Sequence, residues 1–150
     1  MLIEDIVKAS DISEETGAEM IIISPETTLL DITRVLSRNH VGLALVLDET
    51  EKLVGVVSER DIIIAIAKNG TQSLLTPAGE VMTRDVKTCS PRDNPKNVIN
   101  TMSEGRFRHL PVLDEGRLAG LVSSSDILKY LSDKMTPEEQ FQIWAKSFWV

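Results

Sequence analysis

The chain has 150 residues, of which 42% are hydrophobic, and a formal net charge of −7. A chain of this length can bury one compact core, or two small cores packed together. The excess of acidic side chains lies entirely in residues 1–75, which hold 13 acidic and 6 basic residues, and it disfavours a nucleic-acid partner.

Membrane and export signals are the next classes to consider. The longest apolar runs, residues 41–47 and 62–67, are much shorter than the roughly 20 residues that cross a bilayer. The N-terminus carries acidic residues where a secretory signal has positive charge. We therefore expect a cytoplasmic protein with no membrane partner.

Metal and catalytic chemistry have little support in the sequence. Cys89 is the single cysteine, and the two histidines, His40 and His109, stand at no metal-ligand spacing from it. There is no nucleophile with an adjacent base and no pair of carboxylates typical of acid–base catalysis. We expect no metal site and no enzyme, with Cys89 as a small buried apolar side chain and His40 in a structural role.

The N-terminal segment, residues 2–9, has a weak helical pattern of apolar residues and is expected to pack as a helix. A first strand over residues 20–23 should end at Ser24-Pro25, because proline keeps the residue before it extended. The next helix has its apolar face at Leu29, Ile32, Val35 and Leu36. Two strands joined by a polar turn and a closing helix follow at Leu43–Leu47, Leu53–Val57 and Arg60–Lys68.

The same order of elements then recurs. A strand over residues 86–89 ends at Ser90-Pro91, and Asn94 should cap a helix that has Pro95 at its first position. The apolar stripe of that helix is Val98, Ile99 and Met102. The remaining predicted elements are His109–Leu113, Leu118–Val122 and Ser125–Ser132.

The two copies also match in sequence. The stretch GVVSERDI at residues 55–62 returns as GLVSSSDI at residues 120–127, and Ser24-Pro25 falls on Ser90-Pro91. The predicted fold class is α/β, with two β-α-β-β-α repeats packed sheet to sheet into one module. The predicted boundaries are an N-terminal segment 1–17, repeat one 18–70, a linker 71–82, repeat two 83–135 and a C-terminal helix 136–150.

The repeated Ser-x-x-Asp segments, Ser58 to Asp61 and Ser123 to Asp126, stand where a strand ends and a helix begins. A serine followed three residues later by an acidic residue is a typical helix cap. The same helix start presents free backbone N–H groups, a hydroxyl and a carboxylate, which suit a phosphate and a ribose. Capping alone and ligand binding both remain open.

These motifs, together with VMTRDVKTCSP at residues 81–91 and RFRHLPVLDEGRLAG at residues 106–120, resemble a tandem pair of CBS domains, or Bateman module. The resemblance covers residues 18–133. It implies a stand-alone regulatory protein, a pseudo-two-fold module with two clefts, binding an adenosine-containing ligand such as AMP, ADP, ATP, NAD or S-adenosylmethionine. It also implies a disc-like homodimer.

The resemblance assigns ligand contacts residue by residue, with each cleft completed by the other repeat. Aspartate would take the ribose hydroxyls, and serine the phosphate or ribose. The first cleft would hold Ser58, Asp61, Val56, Arg60, Thr83, Arg84, Val86, Phe107, Arg108 and His109. The second, weaker cleft would hold Ser123, Asp126, Leu121, Ala18, Met20, Val41, Gly42 and Leu43.

The two predicted clefts differ in charge. The first gathers three arginines and a histidine, whereas the corresponding positions of the second are Ser125, Ala18, Gly42 and Leu43. Arginine binds phosphate with paired, charge-assisted hydrogen bonds. We expect an adenine nucleotide in the first cleft, with His109 facing it and Arg108 at its rim. The second cleft is expected to be empty, weaker, or suited to an uncharged adenosine compound.

The C-terminal segment is rich in aromatic residues. Thr136, Pro137 and Glu139 predict a capping box and a helix start. Phe141, Trp144 and Phe148 then form one apolar stripe, which either packs on the module or its dimer partner, or binds another protein. The alternative to ligand sensing is therefore a ligand-independent dimerisation or interaction module, in which the Ser-x-x-Asp segments only cap helices.

Overall fold

The structure is a computed structural model that describes residues 2–6 and 20–147. The chain divides into two compact units, one of Ala18–Val86 and one of Met1–Gly17 together with Lys87–Val150. The first unit contains the predicted repeat one together with residues 83–86, and the second unit contains the remainder of the predicted repeat two. In the part of the chain described, no helix is long and apolar enough to cross a membrane.

The first unit is a three-stranded sheet covered by helices. Strand β1 pairs in parallel with β2, and β2 pairs antiparallel with β3. The core lies between the sheet and the apolar face of α1, where Leu29, Ile32 and Leu36 are buried as predicted. The elements are β1 (Ile21–Ile23), α1 (Leu29–Asn39), β2 (Leu43–Leu47), β3 (Leu53–Ser58), α2 (Glu59–Asn69), a 3-10 turn (Thr71–Leu75) and α3 (Ala78–Val81).

The second unit repeats the helix, hairpin and closing helix. Asn94 caps the first of its helices by accepting a hydrogen bond from the amide of Lys96 at 2.9 Å, and Pro95 occupies the first helical position, as predicted. The predicted stripe of Val98, Ile99 and Met102 is buried. The elements are α4 (Pro95–Gly105), β4 (His109–Asp114), β5 (Arg117–Ser123), α5 (Ser124–Ser132) and α6 (Pro137–Ser147).

One predicted element is wrong. Residues 86–89 form no strand, and only Cys89 bridges to Val112 of β4. The bridge is made by the Cys89 amide bonding to the Pro111 carbonyl at 3.0 Å and the Leu113 amide bonding to the Cys89 carbonyl at 2.9 Å. The next bond of a parallel ladder would need an N–H on residue 111, which proline lacks. In the first unit the equivalent position is Leu45, and there the ladder is complete.

The N-terminal segment belongs to the second unit. Residues 3–6 form a helical turn, and Ile3 and Ile6 are both buried in the core built by α4, α5 and the β4–β5 hairpin. Helical packing of this segment was predicted; Val7–Ala9 lie outside the described residues. A chain segment that precedes repeat one thus completes the core of the unit containing repeat two.

The predicted linker, residues 71–82, packs on the unit that precedes it along the chain. It precedes repeat two, yet its 3-10 turn packs on α1 and α2, and Ala78 is buried in the core of the first unit. The backbone hydrogen bonds of the two segments match one for one. They are Ile3 to Asp93 at 3.1 Å and Glu4 to Pro91 at 2.9 Å in one unit, and Ala78 to Thr27 and Gly79 to Pro25, both at 2.8 Å, in the other.

Helix α6 begins at the predicted capping box. The amide of Thr136 donates to Glu139 Oε2 at 3.0 Å, and the amide of Glu139 donates to Thr136 Oγ1 at 3.3 Å. The bonds from Thr136 lower the pKa of Glu139. The helix packs on α4 and α5, and of the predicted aromatic stripe Phe141 is exposed. The side chain of Trp144 and all of Phe148 lie outside the described residues.

Candidate functional site

The Ser58–Asp61 segment in the first unit forms the helix cap that the sequence allows. The Ser58 amide donates to Asp61 Oδ2 at 2.8 Å, and the Asp61 amide donates to Ser58 Oγ at 3.2 Å. The Ser58 hydroxyl also reaches Asp61 Oδ2, at 3.0 Å. One carboxylate oxygen, Oδ2, therefore serves the cap, while Oδ1 faces away from it.

Thr83 lies beside this cap. Its backbone pairs with Val56 through two hydrogen bonds, of 3.0 and 2.9 Å, and its hydroxyl lies 3.4 Å from Asp61 Oδ1. The close approach needs Gly55, because a Cβ there would lie 2.5 Å from Met82 Sδ and 3.0 Å from the Thr83 carbonyl. Four predicted ligand contacts, Val56, Ser58, Asp61 and Thr83, are thus brought together within one unit.

The two predicted cations of the first unit are both exposed. Arg60 follows the cap in the first turn of α2, and Arg84 follows Thr83. The guanidinium of Arg84 is held by the Gly79 carbonyl, to which Nη2 donates at 2.8 Å. Val86, the last predicted contact on this segment, is half-buried. Either guanidinium has donors to offer to an anionic ligand.

The second unit repeats the cap. The Ser123 amide donates to Asp126 Oδ2 at 3.0 Å, and the Asp126 amide donates to Ser123 Oγ, also at 3.0 Å. Leu121 is half-buried and lies opposite Pro111 in the hairpin. Of the segment predicted to face this cap, Met20 is exposed immediately before β1, and Ala18 lies outside the described residues.

The starts of β2 and β4 lie beside the caps of their own units. Leu43 is the partner of Ser58 in the β2–β3 ladder, and His109 is the partner of Ser123 in the β4–β5 ladder. His109 is half-buried and makes a polar or electrostatic contact of its own. Arg108, directly before it, is exposed, and its position at the rim of the first cleft stays a prediction.

Glu59 is a side chain at this end of the first unit that the sequence reasoning did not single out. Its amide donates to the Gly42 carbonyl at 3.0 Å, and its carboxylate fills the space that a Gly42 side chain would occupy, 3.1 Å from the ideal Cβ. The second unit has the same backbone hydrogen bond, from the Ser124 amide to the Arg108 carbonyl at 2.9 Å, but serine stands in place of Glu59 and arginine in place of Gly42. The two helix starts therefore differ by a carboxylate and a guanidinium.

Phe107 and Val41 occupy equivalent positions before β4 and β2. Both are half-buried and pack against the core of their own unit. The ring of Phe107 lies over Gly105, where an added Cβ would collide with the ring carbon Cε1. Packing against the core of its own unit therefore explains much of why each of these apolar side chains is present. Their predicted ligand contacts, like the pairing of groups from the two repeats in one cleft, stay predictions.

The cysteine has the structural role expected of it. Cys89 is 6% exposed, and burial raises the pKa of its thiol to about 12, with the charge of Asp93 acting in the same direction. A thiol with this pKa is protonated at neutral pH and is a poor nucleophile. Within residues 2–6 and 20–147, no group of three or more His, Cys, Asp or Glu side chains could hold a metal ion.

Comparison with known proteins identifies this architecture. The family described as CBS domain matches residues 5–68 and 78–133. An uncharacterized 17.7 kDa protein of Acidianus ambivalens is 28% identical over 129 residues, which cover 85% of this chain and 77% of that protein. For some longer matching proteins this chain spans less than half of their length, 42% and 41% in two cases.

Solved structures agree in fold. A CBS-domain containing protein of Agrobacterium tumefaciens superposes with a TM-score of 0.76 at 28% identity, covering 85% of this chain and 91% of that one. A CBS domain pair in complex with 5'-methylthioadenosine and S-adenosyl-L-methionine has a TM-score of 0.72 at 26% identity, with coverages of 90% and 98%.

Proposed function

The chain belongs to the CBS domain family, and on that premise we propose that it is a regulatory protein whose two repeats bind an adenosine-containing ligand. The observation that carries the proposal is the capped Asp61. Its Oδ2 accepts the hydrogen bonds of the cap, and its Oδ1 lies beside the Thr83 hydroxyl. A carboxylate oxygen next to a hydroxyl oxygen can accept hydrogen bonds from the two hydroxyls of a ribose.

The repeat gives a second argument. Asp126 holds the same capping geometry in the second unit, so the carboxylate is presented at the start of an equivalent helix. Most amides at these two helix starts are already hydrogen-bonded within the protein, so the contribution of the helix start is mainly its positive dipole end, which favours a phosphate or another anionic group. The similar domain pair bound to 5'-methylthioadenosine and S-adenosyl-L-methionine supports an adenosine compound as the ligand class.

We assign the phosphorylated ligand to the first cleft. The cations predicted to line it, Arg60, Arg84 and Arg108, are all exposed. In a chain of net charge −7, such local positive charge is what allows an anionic nucleotide to bind. AMP, ADP, ATP and NAD are the candidates for this cleft. An uncharged or cationic adenosine compound suits the second cleft better, because Gly42 and Leu43 bring no charge to it.

Regulation would follow from linkage. A ligand that contacts both repeats favours the arrangement in which both halves of its cleft meet. The shift can be no larger than the difference in the ligand's affinity for the two arrangements. The protein would thereby convert a ligand concentration into a change at an interface with a partner.

A second function, a ligand-independent interaction module, is favoured by one observation. Both Ser-x-x-Asp segments do cap their helices, so capping alone explains why these residues are present. The two functions differ in what Thr83 contributes. Its side chain takes no part in either cap, and it is exposed.

Thr83→Val therefore tests the proposal, because it removes the hydroxyl and leaves both caps intact. Isothermal titration with AMP, ADP, ATP, NAD, 5'-methylthioadenosine and S-adenosylmethionine identifies the ligand, and the best one is then titrated into the variant. Loss of one neutral hydrogen bond between the Thr83 hydroxyl and the ribose predicts about a three- to tenfold weaker affinity, with the melting temperature nearly unchanged. Thr88→Val, at an exposed threonine outside the site, is the matched control.

Either of two results would reject ligand sensing. If no compound in the panel binds the folded wild-type protein, the motifs are helix caps only. If a compound binds but Thr83→Val and Thr88→Val leave its affinity equally unchanged, the ligand does not use the Asp61–Thr83 site. Asp61→Ala is less decisive, because it removes a cap acceptor as well as a ribose acceptor.

A further inference from the structure

Two equivalent backbone hydrogen bonds, one in each unit, join residues that carry different side chains. In the first unit the Glu59 amide donates to the Gly42 carbonyl at 3.0 Å, and in the second the Ser124 amide donates to the Arg108 carbonyl at 2.9 Å. Each bond joins the first residue of a helix to the residue just before a strand. Each pair therefore contains one long charged side chain beside a small residue, but the charge is negative in the first unit and positive in the second.

The Glu59 carboxylate lies over the start of β2. An ideal Gly42 Cβ would be 3.1 Å from both the carboxyl carbon and Oε1 of Glu59, so the carboxylate occupies space that is open because residue 42 has no side chain. Glu59 is exposed, and within the described residues its carboxylate takes part in no salt bridge or hydrogen bond. Arg60 lies about 100° further around the helix, on another side. The carboxylate is therefore accessible to a ligand that reaches the start of β2.

Stabilisation of the helix does not account for this carboxylate. A negative charge in the first turn is favourable, because it lies at the positive end of the helix dipole. However, Asp61 already supplies such a charge to α2, as Asp126 does to α5. Helix α5 has serine, Ser124, at the position of Glu59, and it begins with the same capping box. The cap therefore forms without a glutamate, and what Glu59 adds is a negative charge beside β2.

On the basis of the proposed function, in which Gly42 contacts the ligand of the second cleft, we propose that Glu59 determines the specificity of that contact. It selects a positively charged adenosine compound and excludes phosphorylated ones. Gly42 itself brings no charge to the ligand, whereas the carboxylate above it attracts a cation and repels a phosphate. At the start of β4, Arg108 has the opposite effect, because a guanidinium favours phosphate.

Three adenosine compounds share the nucleoside and differ in the charge at its 5' end. S-adenosylmethionine is positively charged, since its sulfonium and ammonium groups outweigh its one carboxylate. 5'-Methylthioadenosine is neutral, and AMP is anionic. The first two are the compounds in complex with the similar domain pair. Comparing the three affinities therefore measures how strongly the protein selects for charge, separately from how well it binds adenosine.

Glu59→Gln is the direct test, because it removes the charge and nearly keeps the shape of the side chain. The full chain is titrated calorimetrically with the three compounds at low ionic strength. Because Glu59 is exposed, its charge should change the affinity by a factor of about two to five. The variant should bind S-adenosylmethionine more weakly by this factor and 5'-methylthioadenosine unchanged. The difference should fade at high salt, which screens exposed charges. Glu49→Gln, at an exposed glutamate beyond the other end of β2, is the matched control.

A double variant, Gly42→Arg with Glu59→Ser, gives the first unit the residues of the second and tests the exclusion of phosphate. The backbone at Gly42 is not left-handed, and Glu59→Ser removes the carboxylate that the new Cβ would meet, so the arginine can be accommodated. The wild-type chain is expected to bind one AMP, and the double variant should bind two. The arginine should strengthen AMP binding at the start of β2 about tenfold or more, since hydrogen bonds between charged groups are strong. The melting temperature checks that the variant is folded.

The outcomes separate the role of Glu59 from the proposed function. If the wild-type protein binds none of the three compounds, both are rejected. If it binds them, but Glu59→Gln changes the affinity for S-adenosylmethionine no more than Glu49→Gln does, the role of Glu59 is rejected and ligand sensing stands. The same holds if the wild-type chain binds AMP but not S-adenosylmethionine, or already binds two AMP molecules. A folded double variant that still binds a single AMP rejects the exclusion of phosphate by Glu59.

Discussion

Replacing Ile3 by alanine tests the finding that the N-terminal segment completes the core of the second unit. Ile3 is fully buried, at 0% exposure, and contacts the cluster that includes Val98, Ile99 and Leu110. The substitution deletes three carbon atoms. At about 0.8 kcal/mol for each buried carbon, the lost transfer free energy is about 2.4 kcal/mol.

A cavity adds to this cost, because a packed core relaxes only in part around a deleted side chain. Isoleucine-to-alanine substitutions in cores cost about 2–5 kcal/mol, and we expect about 3 kcal/mol for Ile3→Ala. Two backbone hydrogen bonds, from Ile3 and Glu4, tie the described residues 2–6 to the rest of the unit, so the variant can also release the segment altogether.

The assay is equilibrium unfolding in urea, followed by far-ultraviolet circular dichroism, with the free energy of unfolding compared between variant and wild type. Ile22→Ala is the control, since Ile22 is 51% exposed in β1. This variant should lower the free energy of unfolding by less than about 1 kcal/mol. If Ile3→Ala lowers the free energy of unfolding no more than Ile22→Ala does, the N-terminal segment does not belong to the core of the second unit, and the packing described for residues 3–6 is refuted.

Two further predictions concern the site and the cysteine. Gly55→Ala should lower the free energy of unfolding by about 1–3 kcal/mol and weaken ligand binding, because its Cβ displaces the Thr83 carbonyl that lies 3.0 Å away. Gly42→Ala displaces only the end of the Glu59 side chain and should lower the free energy of unfolding by less. Equal losses in the two variants would contradict the close approach of Gly55 to the Thr83 carbonyl. Cys89, with a pKa raised to about 12, should react with a thiol reagent at pH 8 only in denaturant. Rapid reaction in the native protein would show that the thiol is not buried.

Local patterns in the sequence determined the elements and their caps. The apolar spacing of α1 and the Asn94-Pro95 start of α4 required only contacts within a few residues, and both formed as predicted. The capping boxes at Ser58 and Ser123 are of the same kind. Such features follow from one turn of backbone geometry, so a single sequence suffices to predict them.

Sequence alone also brought together part of the candidate site. Val56, Ser58, Asp61 and Thr83 were assigned to one cleft through the family resemblance, and they lie side by side in the first unit. The role of Glu59 was missed, because a glutamate in the first turn of a helix is ordinarily only a favourable charge. Its contact with Gly42 depends on how β2 and β3 end, which no local pattern records.

Tertiary structure decided where the segments between the repeats belong. Residues 3–6 and 78–81 make equivalent hydrogen bonds, but they are 75 positions apart, whereas the repeats themselves are offset by 66 and then 65. A comparison at a fixed offset therefore misses them. The loss of the strand at residues 86–89 was likewise settled by Pro111 on a distant strand. Partners in a sheet or a core are chosen by the whole chain, because each buried group needs a neighbour that the local sequence does not contain.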